Sequence, residues 1–407
     1  MTSGSRLGPL DGLPVSIKDN IFVQGLRATW GSNLYREFAP EYDDLAVTRL
    51  RAAGALILGK TNTPEFALAS FTDNLVFGPT RNPWNPDLTP GGSSGGAVAA
   101  IAAGMVPLAI GTDAGGSIRR PASHTGVVGF RPSTGRVPRL YGFPPLAHDF
   151  QVIAPAARTV AETELLYRCI AGSDPRDRAS LLCGMEAKRL PERIRIRYIP
   201  TIGGAPVENE IQSAVEDAAS AFREMSLVVE EGDAPYDLAQ IEETWTTLSS
   251  AGLARVLSAH GDGHELIHPG STAIVERGRK ITATQYVKAL DAVADIRRRF
   301  AQSFEEFDFL LMPTSPALPW PIGEPYARQI KGIQAGPRSA AMFATFVNAA
   351  GLPAINLPVN PASSGLPIGM QCVARFGADD DLLSLAAKFE AARPWSARWP
   401  QIAHSAA

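Results

Sequence analysis

The segment PGGSSGGAVAAIAAGMVPLAIGTDAGGSIRR, residues 90–120, places two Gly/Ser loops on either side of one small-residue run and one apolar run. Residues 97 to 104 are mostly alanine and glycine, so they predict a helix that packs closely against its neighbours. Residues 106 to 110 predict a strand leading into the second loop. Loops of this kind aim successive backbone N–H groups at one point, which suits an anion. Phosphate is a poor fit: no lysine follows Gly96, Ile118 and Arg119 follow Ser117, and no G-x-G-x-x-G fingerprint is present. The other anion is the oxyanion formed when a serine attacks a carbonyl, where one fixed donor contributes about 3 kcal/mol. Ser117, after Ala114-Gly115-Gly116, suits that nucleophile; it equally suits a turn or helix-cap serine.

Outward from this segment the chain has an α/β rhythm. Val15 and Ile17 predict one face of a strand ending at Lys18. Asp43 or Asp44 caps a helix that Gly54 stops, and residues 55–58 predict the next strand. From about 158 to 300 helices and charge increase. Arg193, Arg195 and Arg197 alternate with Ile194, Ile196 and Tyr198 as a half-buried strand with solvated arginines, and Ile211, Val215, Ala218, Phe222 and Met225 trace the apolar stripe of a helix. Short strands broken by Pro and Gly are expected around 310–314, 352–359 and 366–374. With 407 residues, a large α/β unit results.

Composition excludes several functions. The 38 basic and 41 acidic residues give a net charge of −3 with no basic block, so nucleic acid is not an expected direct partner. No run reaches the ~18 apolar residues of a membrane span, and the N-terminus lacks the apolar stretch of a signal peptide. Cys169, Cys183 and Cys372 are dispersed and odd in number, which fits a reducing compartment rather than disulfides or a thiolate metal site. A cytoplasmic protein is the expectation.

A nucleophilic serine needs a base. The six histidines lie outside any G-x-S-x-G context. His260, His264 and His268 recur every fourth residue, but Gly261, Gly263 and Pro269 speak for a loop rather than a metal-binding helix face. Lysine made neutral by burial is the alternative, and both Lys18 and Lys60 fit, each also readable as an ion-pair residue.

The stretches GLPVSIKDN (12–20), GKTNTPEFA (59–67), RNPWNPDLTPGGSSGG (81–96), GTDAGGSIRRPA (111–122), GVVGFRPSTGRVP (126–138), GLPAINLPV (351–359) and GLPIGMQCVARF (365–376) resemble the amidase signature family of serine hydrolases. The likeness is weakest from 175 to 300. The resemblance implies an α/β fold: a central mixed, twisted β-sheet covered by helices on both faces, with a short N-terminal region. It implies a single catalytic domain over 1–407, in which a divergent, mainly helical segment, 175–300, covers the site. It also implies a Ser–cis-Ser–Lys triad of Ser117 as nucleophile, Ser93 on a cis peptide and Lys18 as base, with Lys60 in a structural motif. The amides of Ala114, Gly115, Gly116 and Ser117 would form the oxyanion hole, Ser94 would support the network, Asp113 and Arg119 would brace the nucleophile loop, and neither metal nor cofactor is implied.

This sequence departs from the family pattern at several places. It begins almost at the family's Gly-Pro-Leu-x-Gly opening, so either the start is truncated or a face stays exposed there, which a homodimer would cover. Gln151 occupies a commonly acidic slot. Arg120 adds a charge that suits either a substrate carboxylate or a structural ion pair. Tyr141, and with it Phe143, Trp245 and Phe346, are pocket candidates that also read as core residues. The expected activity is cleavage of the C–N bond of a small carboxylic amide to a carboxylate and ammonia or amine, through an acyl-Ser117 intermediate and a Ser93/Lys18 proton relay. The alternatives are a glutamine-hydrolysing amidotransferase subunit that depends on a partner, and a catalytically silent scaffold.

Overall fold

A computed structural model describes residues 7–181, 193–260 and 263–401; Cys183, His404 and the side chain of His264 lie outside the described residues. In chain order the strands are β1 (Pro14–Lys18), β2 (Leu56–Thr61), β3 (Leu108–Asp113), β4 (Val128–Arg131), β5 (Val152–Ala157), β6 (Arg195–Tyr198), β7 (Val228–Glu231), β8 (Phe309–Pro313), β9 (Gln329–Ile330), β10 (Ile333–Gln334), β11 (Ala354–Pro358) and β12 (Gly369–Ala374). Ten of them form one sheet in the order β2-β1-β3-β5-β4-β11-β12-β8-β6-β7, and β9 and β10 form a separate hairpin. The sheet is mixed. Parallel pairing at its two ends, among β1, β2, β3 and among β6, β7, β8, flanks an antiparallel middle.

The helices are α1 (Leu45–Ala52), α2 (Gly95–Ala102), α3 (Arg119–Thr125), α4 (Val160–Ile170), α5 (Arg178–Leu181), α6 (Asn209–Glu224), α7 (Leu238–Leu257), α8 (Pro269–Arg279), α9 (Ala283–Ser303), α10 (Thr345–Ala350) and α11 (Asp379–Ala392). Because successive strand residues face opposite sides, β3 and β5 sort their side chains by size. Leu108, Ile110 and Ile153 join a large core with Val160 and Leu166 of α4 and Leu382 and Leu385 of α11. Ala109, Ala154 and Ala156 form the other face with Ala97, Val98 and Ile101 of α2 and Ala122 of α3. Small residues on both partners let α2 and α3 lie close to the sheet, which fixes the two Gly/Ser loops at their ends.

Two expectations from sequence give way to the structure. The strand after α2 begins at Leu108 rather than Val106 and continues through Asp113, so the second loop starts at Ala114. The segment 175–300 is not one cover: β6, α6 and β7 extend the sheet at its far edge, with Ile211, Val215, Ala218 and Phe222 buried, whereas Trp245 of α7 packs against Gly115 of the second loop and α7 and α8 wall the cleft beside it. As expected, His260 and His268 do not share a helix: Pro269 starts α8, occupying its first turn after the cap His268, where its missing N–H costs nothing. Where α7 meets α8 the backbones touch; a Cβ on Gly278 would collide with the Ser250 carbonyl oxygen. No described helix is long and apolar enough to cross a membrane.

Candidate active site

Lys18, fully buried at the end of β1, directs Nζ at three hydroxyls: Ser93 Oγ at 2.7 Å, Thr112 Oγ1 at 2.9 Å and Ser94 Oγ at 3.0 Å. Burial brings its pKa down to about 7, against the opposing pull of Asp113 and Asp19 and with a further push from the Arg120 charge. Ser94 donates its own proton to the Thr112 carbonyl at 3.1 Å, so it can only accept from Lys18. Thr112 Oγ1 also accepts from Asn20. Protonated Lys18 can donate to all three hydroxyls; in a neutral Lys18 one N–H goes to Ser94, and with the second on Thr112 the lone pair is left for Ser93.

The Gly92–Ser93 peptide is cis. Thr72 ties the loop around it, donating to the Gly91 carbonyl and accepting from the Gly95 amide. Glycine is required at 92, since a Cβ there would collide with the Phe71 carbonyl oxygen. The Ser94 amide donates to the Ser117 carbonyl at 2.9 Å and so joins the two loops. Ser117, 6% exposed, sits on the turn between β3 and α3, and its Oγ bonds to no described residue.

Asp113 organises that turn. Burial alone would raise its pKa, but the Arg119 and Arg131 guanidinium groups and the Asn348 amide hold the carboxyl well below the usual carboxylate range. Arg119 donates to both its oxygens, at 3.0 and 3.1 Å, and also to Gln371 and Asn348. The carboxylate accepts the amides of Gly116 and Ile118. One of the four expected oxyanion donors is thus engaged: the Gly116 N–H turns to Asp113, whereas those of Ala114, Gly115 and Ser117 bond to no described residue.

The sequence matches the family model described as Amidase over residues 1–383. The chain belongs to the amidase signature family. This classes the amidase as a serine hydrolase and an enzyme. It is 36% identical over 432 residues to a glutamyl-tRNA(Gln) amidotransferase subunit of Moorella thermoacetica, an alignment covering 98% of this chain and 86% of that one. Among solved structures it is similar to 6-aminohexanoate cyclic dimer hydrolase complexed with substrate, with a TM-score of 0.88, 31% identity and coverage of 97% and 88%. A bacterial aryl acylamidase gives a TM-score of 0.88 at 30% identity, with coverage of 98% and 86%.

The remaining residues of interest divide around a cleft of about 750 Å³ between the start of the 64–75 loop, α7, α8 and residues 325–339. Ser117 does not line it; the loop after β3 lies behind Trp245, whose ring is 3.3 Å from where a Gly115 Cβ would be. Of the four aromatic pocket candidates, Trp245 is the one that the amidase places in this wall. Phe346 is stacked in the core with Tyr236 and Phe300, Phe143 is stacked on Trp30, and Tyr141 lies against Tyr42 at the surface. Arg120 makes no ion pair among the described residues; it is 4% exposed and donates to Ser70 on the cleft wall. Gln151 accepts from Arg139. Lys60 is a strap that donates to the carbonyls of Asp19 and Ile21 at 2.8 and 2.7 Å, which separates it from Lys18. His260 bonds Tyr35 and His268 caps α8, so they serve different elements. Sequence reading missed Thr112, Arg131, Asn348 and Gln371, whose only signal was their place inside or beside the quoted motifs.

Proposed function

We propose that this amidase hydrolyses a small carboxylic amide to a carboxylate and ammonia or amine through an acyl-Ser117 intermediate. The observation that carries the reading is Lys18, buried, with a pKa of about 7 and Nζ 2.7 Å from Ser93 Oγ. Neutral Lys18 takes the Ser93 proton, Ser93 takes that of Ser117, and Ser117 Oγ attacks the carbonyl carbon. The free amides of Ala114, Gly115 and Ser117 supply donors for the oxyanion. The protons return to the leaving nitrogen, which departs as a neutral amine, and water activated through the same relay cleaves the ester. The Ser93–Ser117 contact closes with substrate, as such contacts commonly tighten on binding.

Incubation with a serine-directed phosphonate, read by intact mass, tests this. One adduct on wild type, none on Ser117→Ala and slow labelling of Lys18→Ala are expected, together with ammonia release from at least one simple amide. Adduct on Ser117→Ala would sink the assignment.

A second reading, the glutamine-hydrolysing component of an amidotransferase, is favoured by the sequence relatives, of which the Moorella thermoacetica protein is one. Glutamine as the sole substrate, with turnover rising on addition of a partner, would establish it; partner-free turnover of other amides would establish the first.

A further inference from the structure

Behind the cleft wall, Ser70, Phe71 and Trp245 meet the residues around the two serines. The first two are tied in place. Ser70 accepts from Arg120, and the Phe71 backbone lies so close to Gly92 that no Cβ fits between them. Trp245, on α7, is held differently. Three atoms of its six-membered ring lie 3.3 to 3.6 Å from where a Gly115 Cβ would be. Gly115 is not among the glycines with positive φ, so what its missing side chain provides is room for the indole. The ring rests against Phe150, 6.2 Å away between centroids, and against the Arg338 guanidinium, 5.0 Å from its centroid. A buried indole N–H usually finds a partner, but Nε1 of Trp245 bonds to no described residue, so no hydrogen bond fixes the ring.

Ser117 is 6% exposed and Trp245 8%, so a carbonyl that comes from the cleft has to pass the indole to reach Oγ and the free amides of Ala114, Gly115 and Ser117. A side chain turns between staggered rotamers when space allows, and here a cavity of about 750 Å³ adjoins the ring. We infer that Trp245 is a specificity-determining residue: its indole is a gate between the cleft and Ser117, and the width that it leaves sets how much bulk next to the carbonyl the enzyme accepts. Slim amides pass, and amides with a ring or a branch beside the carbonyl are held back. The inference rests on the hydrolase reading for turnover, whereas access to position 117 is a property of the wall whatever chemistry follows.

Access is read without the relay by placing a thiol at the position, as Ser117→Cys, and timing its alkylation by iodoacetamide and by the wider N-phenylmaleimide. Each rate is taken relative to the same reagent on free cysteine, and peptide mass mapping separates the new thiol from Cys169, Cys183 and Cys372. Adding Trp245→Ala is expected to speed the maleimide by at least about 10-fold and iodoacetamide by less than about 3-fold, with Trp245→Phe between; Trp245→Phe serves if Trp245→Ala does not fold. A loosened fold would speed both reagents alike, so the ratio separates a gate from damage. In the otherwise native enzyme, Trp245→Ala should raise kcat/KM for benzamide and pivalamide relative to propionamide by about 10-fold. Amide turnover by wild type with a labelling ratio that Trp245→Ala leaves unchanged overturns the gate and keeps the hydrolase. A ratio that shifts as expected, with no amide turned over by wild type, supports the gate and overturns the hydrolase. Labelling by neither reagent in any variant also overturns the gate, because Trp245 then does not govern access.

Discussion

At Lys18 the protonation of one amine separates an active relay from an idle one. In the proposed relay the neutral form is the base, and a pKa lowered by burial to about 7 means that form accumulates as pH rises through neutrality. The expected profile of kcat/KM climbs about tenfold per unit below about 6 and levels above about 8, whereas an unperturbed lysine would put the limb near ~10.4. Rates from pH 5.5 to 9.5 in buffers of constant ionic strength decide it; a limb near 10 would remove Lys18 as base. Lys60 should behave otherwise. Lys60→Met removes three bonds to carbonyls, the one to Arg27 being long, and is expected to lower stability by about 2 kcal/mol in a urea melt while leaving the pH limb in place. Asp113 carries the opposite sign. Its lowered pKa gives stability that is present above the ordinary Asp range and lost as pH falls towards the folded value. Asp113→Asn leaves Arg119 buried without its counter-charge and should cost about 3–5 kcal/mol in the same melt.

At the level of elements, the crossing of α7 and α8 depends on glycine. Gly278→Ala would push a methyl group into the Ser250 carbonyl and is expected to cost about 1–3 kcal/mol. Since both helices wall the cleft, KM for the best amide should rise more than kcat falls; an unchanged KM would separate the cleft from substrate binding. The elements themselves are largely legible in the sequence. Strand β1 ending at Lys18, helix α2 between two loops and the stripe of α6 follow from period and small residues, because each is decided by near neighbours. Arg195 and Arg197 alternating with buried Ile196 and Tyr198 do mark a strand, but nothing local places it between β8 and the edge strand β7. The same limit applies at the site. Lys18 and Lys60 have similar local sequences and differ only in what lies across space, three hydroxyls or three carbonyls. Asn348 and Gln371 could not be found by spacing, since they reach Arg119 from 229 and 252 residues away.

Across the whole molecule, the sheet ends at β2 with Leu56 and Leu58 turned outward, 54% and 59% exposed. Exposed edge strands carrying apolar side chains invite pairing with another chain. Light scattering at rising concentration is expected to show self-association that Leu58→Lys reduces without loss of thermal stability; identical scattering from both proteins would take that edge out of consideration. The Asp113 carboxylate has a consequence of another kind. Its ligands come from Arg119, Arg131 and Asn348, and Arg119 is itself held by Gln371, on the last strand. A chain growing on the ribosome has made Ser117, Arg119 and Arg131 long before it has made Asn348 and Gln371, which complete the network around Asp113. Hydrolysis should therefore be silent through most of synthesis and should return last on refolding, after the tryptophan fluorescence has recovered, so that the enzyme begins to act only once its final sheet strands have been translated and docked.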